Sequence, residues 1–209
     1  MKSPGSRIMA RLPRVHVERG FLPPEEHAAL LAETLEAQAL YQSSTISRYE
    51  EDMTRVNGQV DPSVRHSHVR KLPKAFREIF EAKLVSLQSM IEATTGVEFP
   101  AERWFEIESV HSGDGALFTA HIDTNRGPQS SRRVISAVYY YSRTPAAFSG
   151  GQLKLYSLDR SGSITVEPED NTMVLFPSMF LHEVLPVSVP SGEWADGRFS
   201  VNCWVHRTD

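Results

Sequence analysis

The spacing of apolar residues changes character near the middle of the chain. In "LPPEEHAALLAETLEAQALY" (22–41), Leu30, Leu31, Leu35 and Leu40 recur at helical spacing. Proline and acidic residues gather at its start, where a helix N-terminus favours them. In "KAFREIFEAKLVSLQSMIEATTG" the pattern returns with Phe76, Ile79, Phe80, Leu84, Leu87 and Ile91, and Gly96 is placed to close the helix. The segment 42–72 between them is polar and rich in turn residues, and it reads as a long loop. Loops of that length are uncommon unless they are functional or disordered. From about Trp104 onward, short β-rich runs take over. They are "WFEIESVH", "ALFTAHID", "RVISAVYYYS", "GQLKLYSL", "SITVEP", "TMVLFPS", "LHEVLPVS" and "RFSVNCWVHR". Gly, Pro, Asp, Asn and Ser separate them, as turns require. Strands without intervening helices predict a mostly β fold with N-terminal helices, a double-sheet jelly roll (double-stranded β-helix) buttressed by those helices. The expected organisation is a single domain over 1–209, with a helical front over 20–97 and a jelly-roll core over about 104–206.

Composition narrows this picture only slightly. A formal charge of -4 gives no global reason to expect nucleic acid or an anionic membrane as partner. No apolar run approaches membrane-spanning length. The start, "MKSPGSRIMARLPRV", has no apolar core of a secretory signal and reads as a frayed end. The single cysteine, Cys203, excludes an internal disulfide and a cysteine-rich zinc site. It fits a reducing compartment, so a cytoplasmic location is expected.

The candidate chemistry centres on "FTAHIDTNRG". Residues i and i+2 of a strand face the same way, so His121 and Asp123 can point together while Ile122 turns aside. An isolated H-x-D is a weak signal, equally at home at an ordinary strand end. His182, in "MFLHEVLPV", is the best candidate for a third ligand. Two imidazoles and a carboxylate on one face of an octahedron are the arrangement of non-haem Fe(II) oxygenases, with open positions opposite. On the last strand Arg198, Ser200, Asn202 and Trp204 share one face. An arginine lining a barrel interior is costly unless an anion neutralises it, and its fork suits a carboxylate. Tyr140 shares a face with Ser136 and Val138 and could donate to the same anion. The competing reading is a surface arginine beside ordinary sheet packing.

The ordered set H-x-D, "RVISAVYYYS", "FSGGQLKLY", "NTMVLFPSMFLHEVLPV" and "GRFSVNCWV" resembles the Fe(II)/2-oxoglutarate-dependent oxygenase superfamily, in its prolyl 4-hydroxylase-like branch, over roughly 104–206. The resemblance implies that His121, Asp123 and His182 ligate iron. It implies that Arg198 holds the distal carboxylate of 2-oxoglutarate, with Tyr140 and Ser200 in support and Val138, Leu153 and Trp204 lining the pocket. Where the branch often has a tyrosine ten residues before the first ligand, this chain has His111, which would then contact 2-oxoglutarate. The implied reaction hydroxylates an unactivated C–H bond using O₂ and releases succinate and CO₂, with ascorbate admitted as a reductant. Asp123 favours hydroxylation over halogenation, because related halogenases replace that carboxylate with a small residue.

Substrate contacts are expected from Arg126, which follows the H-x-D, and from Arg65, His68 and Arg70 in the 42–72 segment, read as a lid. His16, His27, His206 and Trp194 read as structural or surface residues. The expected partner is a small-molecule, carrier-bound or peptidyl substrate, without nucleic acid or membrane, and a homodimer stays open. The competing functions are a non-catalytic 2-oxoglutarate or metal sensor, and a cupin-like zinc protein, which would need no anion clamp.

Overall fold

The computed structural model describes residues 12–49, 55–124 and 132–208. In chain order the first elements are β1 (His16–Arg19), α1 (Pro24–Glu36), β2 (Gln42–Ser43), β3 (Ile46–Tyr49) and β4 (Arg55–Gln59). Then come β5 (Arg65–His66), β6 (His68–Lys71), α2 (Lys74–Ser86), α3 (Gln88–Thr95), β7 (Arg103–Ser112) and β8 (Leu117–His121). The rest are β9 (Arg133–Tyr141), β10 (Ser149–Gly150), β11 (Leu153–Tyr156), β12 (Ser163–Val166), β13 (Thr172–Pro177), β14 (His182–Val184), β15 (Val187–Ser188) and β16 (Arg198–Arg207).

Two antiparallel sheets form the jelly roll. The larger runs β1-β13-β9-β16-β7-β6-β2 and the smaller β12-β11-β14-β8-β5. Period-two alternation splits the larger sheet into two chemically different faces. Ile135, Ala137, Tyr139 and Tyr141 of β9 and Phe199, Val201, Cys203 and Val205 of β16 bury against Leu30 of α1, Phe80 and Leu84 of α2 and Ile91 of α3. The opposite face presents Val138 and Tyr140, which pack on Leu153 and Leu155 of the smaller sheet together with Val174 and Phe176. The helices therefore stiffen the back of the sheet and leave its front free to line a cleft.

The mostly β architecture and the buttressing helices agree with the sequence pattern. The second predicted helix is broken at Leu87 into α2 and α3, and Gly96 ends α3 in the left-handed conformation (φ 74°). Leu40 lies past the end of α1 in a 3₁₀ turn and is exposed, so the helical spacing there carries no burial. The larger difference is the segment 42–72. It supplies β2 and β6 to the larger sheet, β5 to the smaller one, and the β3–β4 hairpin. Polar residues hide β5 and β6 because they gain backbone partners from far along the chain, β6 from β7 and β5 from β8. Likewise β1, just after the stretch read as a frayed end, pairs with β13.

Candidate active site

The cleft between the two sheets is lined from both sides. At one end β8 and β14 lie side by side, with His182 in register with His121. The ligand atoms of His121, Asp123 and His182 all lie within 4.8 Å of one another. His121 Nε2 is 3.6 Å from Asp123 Oδ1, and His182 Nε2 is 3.5 Å from Asp123 Oδ2.

Backbone carbonyls fix both imidazoles. His121 Nδ1 donates to Thr119 O at 2.8 Å and His182 Nδ1 donates to Phe180 O at 2.9 Å. A carbonyl only accepts, so each Nδ1 carries a proton and each Nε2 is turned toward the cleft, where the neutral ring would offer its lone pair. Burial pushes His182 down to about 4, with Asp123 only partly opposing it, so the ring is neutral at pH 7. Burial would raise Asp123, but the two imidazoles and Arg133 outweigh it and hold the carboxyl well below its usual range. Phe118 stacks on His121 at 3.5 Å and Phe176 meets His182 edge-on at 4.8 Å, which leaves the rings little freedom. Two imidazoles and an ionised carboxylate suit a divalent transition metal.

The other end of the cleft is built for an anion. Arg198 is buried at 4% exposure and donates from Nη2 to Ser112 Oγ at 2.9 Å. Among the described residues, its Nε and Nη1 and the Tyr140 hydroxyl have no hydrogen-bond partner. Burial lowers the Arg198 pKa from 12.5 and raises that of Tyr140 from 10, so at pH 7 the first is a cation and the second a neutral donor. The guanidinium carbon lies 5.2 Å from the Tyr140 ring centre. A charged fork buried with two unmet donors beside a phenol calls for a carboxylate. Gly151 makes room for the Arg198 side chain: a Cβ there would come within 2.9 Å of both Arg198 Cδ and Val187 Cγ2.

Ser200, Val138, Leu153 and Trp204 also line this cleft, as does Arg65 of β5. Arg65 is held by Glu108 at 3.0 Å and lies over the Phe118 ring at 5.1 Å. Three expected contacts do not reach it. His111 sits on the helix-facing side of β7, paired with Phe199, stacked on Trp194 at 3.5 Å and donating to Trp194 O at 3.2 Å. It is Val110 and Ser112, one residue either side, that face the cleft, so Ser112 meets Arg198 where His111 was expected. His68 and Arg70 share His111's face by the same alternation. His68 lies 6.1 Å from the His111 ring, and Arg70 pairs with Glu33 of α1. Arg126 lies outside the described residues.

The hydrogen bonds that orient Asp123 were not legible from local pattern. Its Oδ2 accepts from Ser136 Oγ at 2.6 Å and from Trp204 Nε1 at 2.9 Å. The shared face of Ser136 with Val138 and Tyr140 was the one available hint. Removing such an outer partner typically weakens metal binding about 10–100-fold. Trp204→Phe, which keeps the ring and deletes the N–H, is therefore expected to bind Fe(II) about tenfold more weakly or worse by anaerobic calorimetry, with the thermal midpoint little changed.

Comparison with known proteins agrees with this geometry. Residues 107–206 match the model of the 2OG-Fe(II) oxygenase superfamily. A PKHD-type hydroxylase of Synechocystis sp., itself uncharacterised, is 30% identical over 199 residues, which is 90% of this chain and 62% of that protein. The chain thus spans less than two thirds of that relative. A prolyl-4-hydroxylase of Pseudomonas putida superposes with a TM-score of 0.66 at 23% identity, covering 94% of each chain. A prolyl hydroxylase of Trichoplax adhaerens, in complex with a hypoxia inducible factor peptide fragment, gives 0.64 at 17% identity, covering 93% of this chain and 84% of that one. The strand order and the His-Asp-His cluster agree with the similarity of residues 107–206 to the 2OG-Fe(II) oxygenase superfamily.

Proposed function

We propose that this chain is an Fe(II)- and 2-oxoglutarate-dependent dioxygenase that hydroxylates an unactivated C–H bond. The observation that carries the reading is the coexistence, in one cleft, of a three-ligand metal cluster and a buried arginine with unmet donors. His121, Asp123 and His182 would hold the iron. Arg198, with Ser112 and Tyr140, would hold the distal carboxylate of 2-oxoglutarate. When bound, iron and 2-oxoglutarate together with O₂ supply the oxidant for the C–H bond and leave succinate and CO₂. Val138, Leu153 and Val184 give the cleft apolar walls that keep water from the reacting centre. Arg65, fixed by Glu108, offers a substrate a cation among the lining residues. The target would be an amino-acid-derived group, whether free, carrier-bound or peptidyl. The prolyl hydroxylases of similar fold, one of them with a peptide bound, support that class. No helix among the described residues is long and apolar enough to cross a membrane. A cytoplasmic location is proposed on the single, buried cysteine. A zinc-only cupin-like protein would leave Arg198 without a counter-charge, which disfavours it.

The test is anaerobic titration of metal-free protein with Fe(II) and then 2-oxoglutarate. A weak visible metal-to-ligand charge-transfer band is expected, because a 2-oxo acid chelating iron in an open site produces one. Absence of the band from folded, iron-loaded protein would overturn the assignment.

A further inference from the structure

Arg133 of β9 stands close enough to the metal cluster to compete with it. Its Nη1 lies 3.8 Å from Asp123 Oδ1, just beyond hydrogen-bond reach. Oδ1 is also the oxygen to which neither Ser136 nor Trp204 donates. A guanidinium readily pairs with a carboxylate, and a shift of about 1 Å would bring this one into range. Captured in that way, Oδ1 would be lost to a metal ion.

What restrains Arg133 is Glu106 of β7. Arg133 donates from Nε to Oε2 at 3.2 Å, and from Nη2 to Oε1 at 2.9 Å and Oε2 at 2.8 Å. His206 Nε2 braces Glu106 Oε2 at 2.9 Å, and the fully buried His206 ring stacks on Trp104 at 3.7 Å. On its other side the guanidinium carbon rests 4.1 Å from the centre of the Trp204 ring, the same indole that donates to Asp123. The fork is thus occupied on one edge, capped on one face, and stopped short of the cluster.

We propose that Glu106 is a positioning residue for the metal centre: it holds Arg133 away from Asp123 and so keeps Oδ1 available to the ion. The inference rests on the metal-site reading above. Two effects act in the same direction. Without Glu106, the guanidinium is free to pair with Asp123. Its positive charge would also face the incoming cation without a nearby counter-charge. His206 and Trp104 serve to keep Glu106 in place rather than to touch the site.

The test measures Co(II) affinity, with Co(II) alone as the probe, by anaerobic visible absorption for wild type, Glu106→Gln, Arg133→Met and the double variant. Thermal midpoints are recorded alongside. Glu106→Gln is expected to weaken Co(II) binding about tenfold, in the range of lost outer partners. The double variant should return to within about threefold of wild type, because no guanidinium is left to intrude. A merely structural Glu106 would give a double variant as weak as the single one. Arg133→Met alone should bind Co(II) at least as tightly as wild type, and this comparison decides the matter if Glu106→Gln fails to fold. Unchanged affinity in folded Glu106→Gln, no recovery in the double variant, or weaker binding in Arg133→Met would each overturn the proposal. A wild type that bound no Co(II) would overturn the metal-site reading itself, and this inference with it.

Discussion

His182→Ala is expected to lose turnover completely and to show no charge-transfer band on addition of Fe(II) and 2-oxoglutarate. The side chain is one of three clustered groups that could hold a metal ion, and its Nε2 already faces Asp123 at 3.5 Å. Removing a direct ligand must cost more than the ~10–100-fold typical of losing an outer partner. Folding is the necessary control. His182 is buried and packs against Phe176 and His121, so the alanine leaves a void. The larger sheet and its helical layer do not depend on the ring, so circular dichroism should stay native with a lowered thermal midpoint. Native-like turnover in the folded variant would remove His182 from the site.

Arg198→Met is expected to separate stability from function. In the wild type the guanidinium is buried with one hydrogen bond and two unmet donors. Replacing such a charge by an apolar side chain of similar size is often neutral or stabilising, by about 1–4 kcal/mol. The cofactor-free variant should therefore melt no lower than wild type. Its 2-oxoglutarate requirement should rise steeply. Truncating one partner of a buried charge pair costs about 2–5 kcal/mol, so a rise of roughly 30- to 5,000-fold in apparent KM is expected. Fe(II) binding should be little affected, because Arg198 bonds to Ser112 and not to the metal cluster. A thermal-shift series with 2-oxoglutarate and a calorimetric Fe(II) titration check both halves. An unaltered 2-oxoglutarate requirement would mean that the anion lies elsewhere.

The sequence alone determined the elements whose periodicity is driven by burial. On β16 the alternation of Arg198, Ser200, Asn202 and Trp204 with Phe199, Val201, Cys203 and Val205 assigned each residue to its face, since one side meets helices and the other a cleft. The H-x-D and the distant His182 were legible because few residue types bind metals and a strand places i and i+2 together. Other features were not legible, because their partners are far apart in sequence. Within 42–72, β5 and β6 are polar and become strands through backbone pairing with β8 and β7. His111 was misplaced because the family's spacing set its position, whereas the pleat and the β16 register decide which neighbour faces inward. The hold of Ser136 and Trp204 on Asp123, and the chain from His206 through Glu106 to Arg133, join residues up to 100 positions apart. Local pattern reports which side of a strand a residue takes. Hydrogen-bond partners at angstrom precision depend on how the sheets close on each other, and only the tertiary structure decides that.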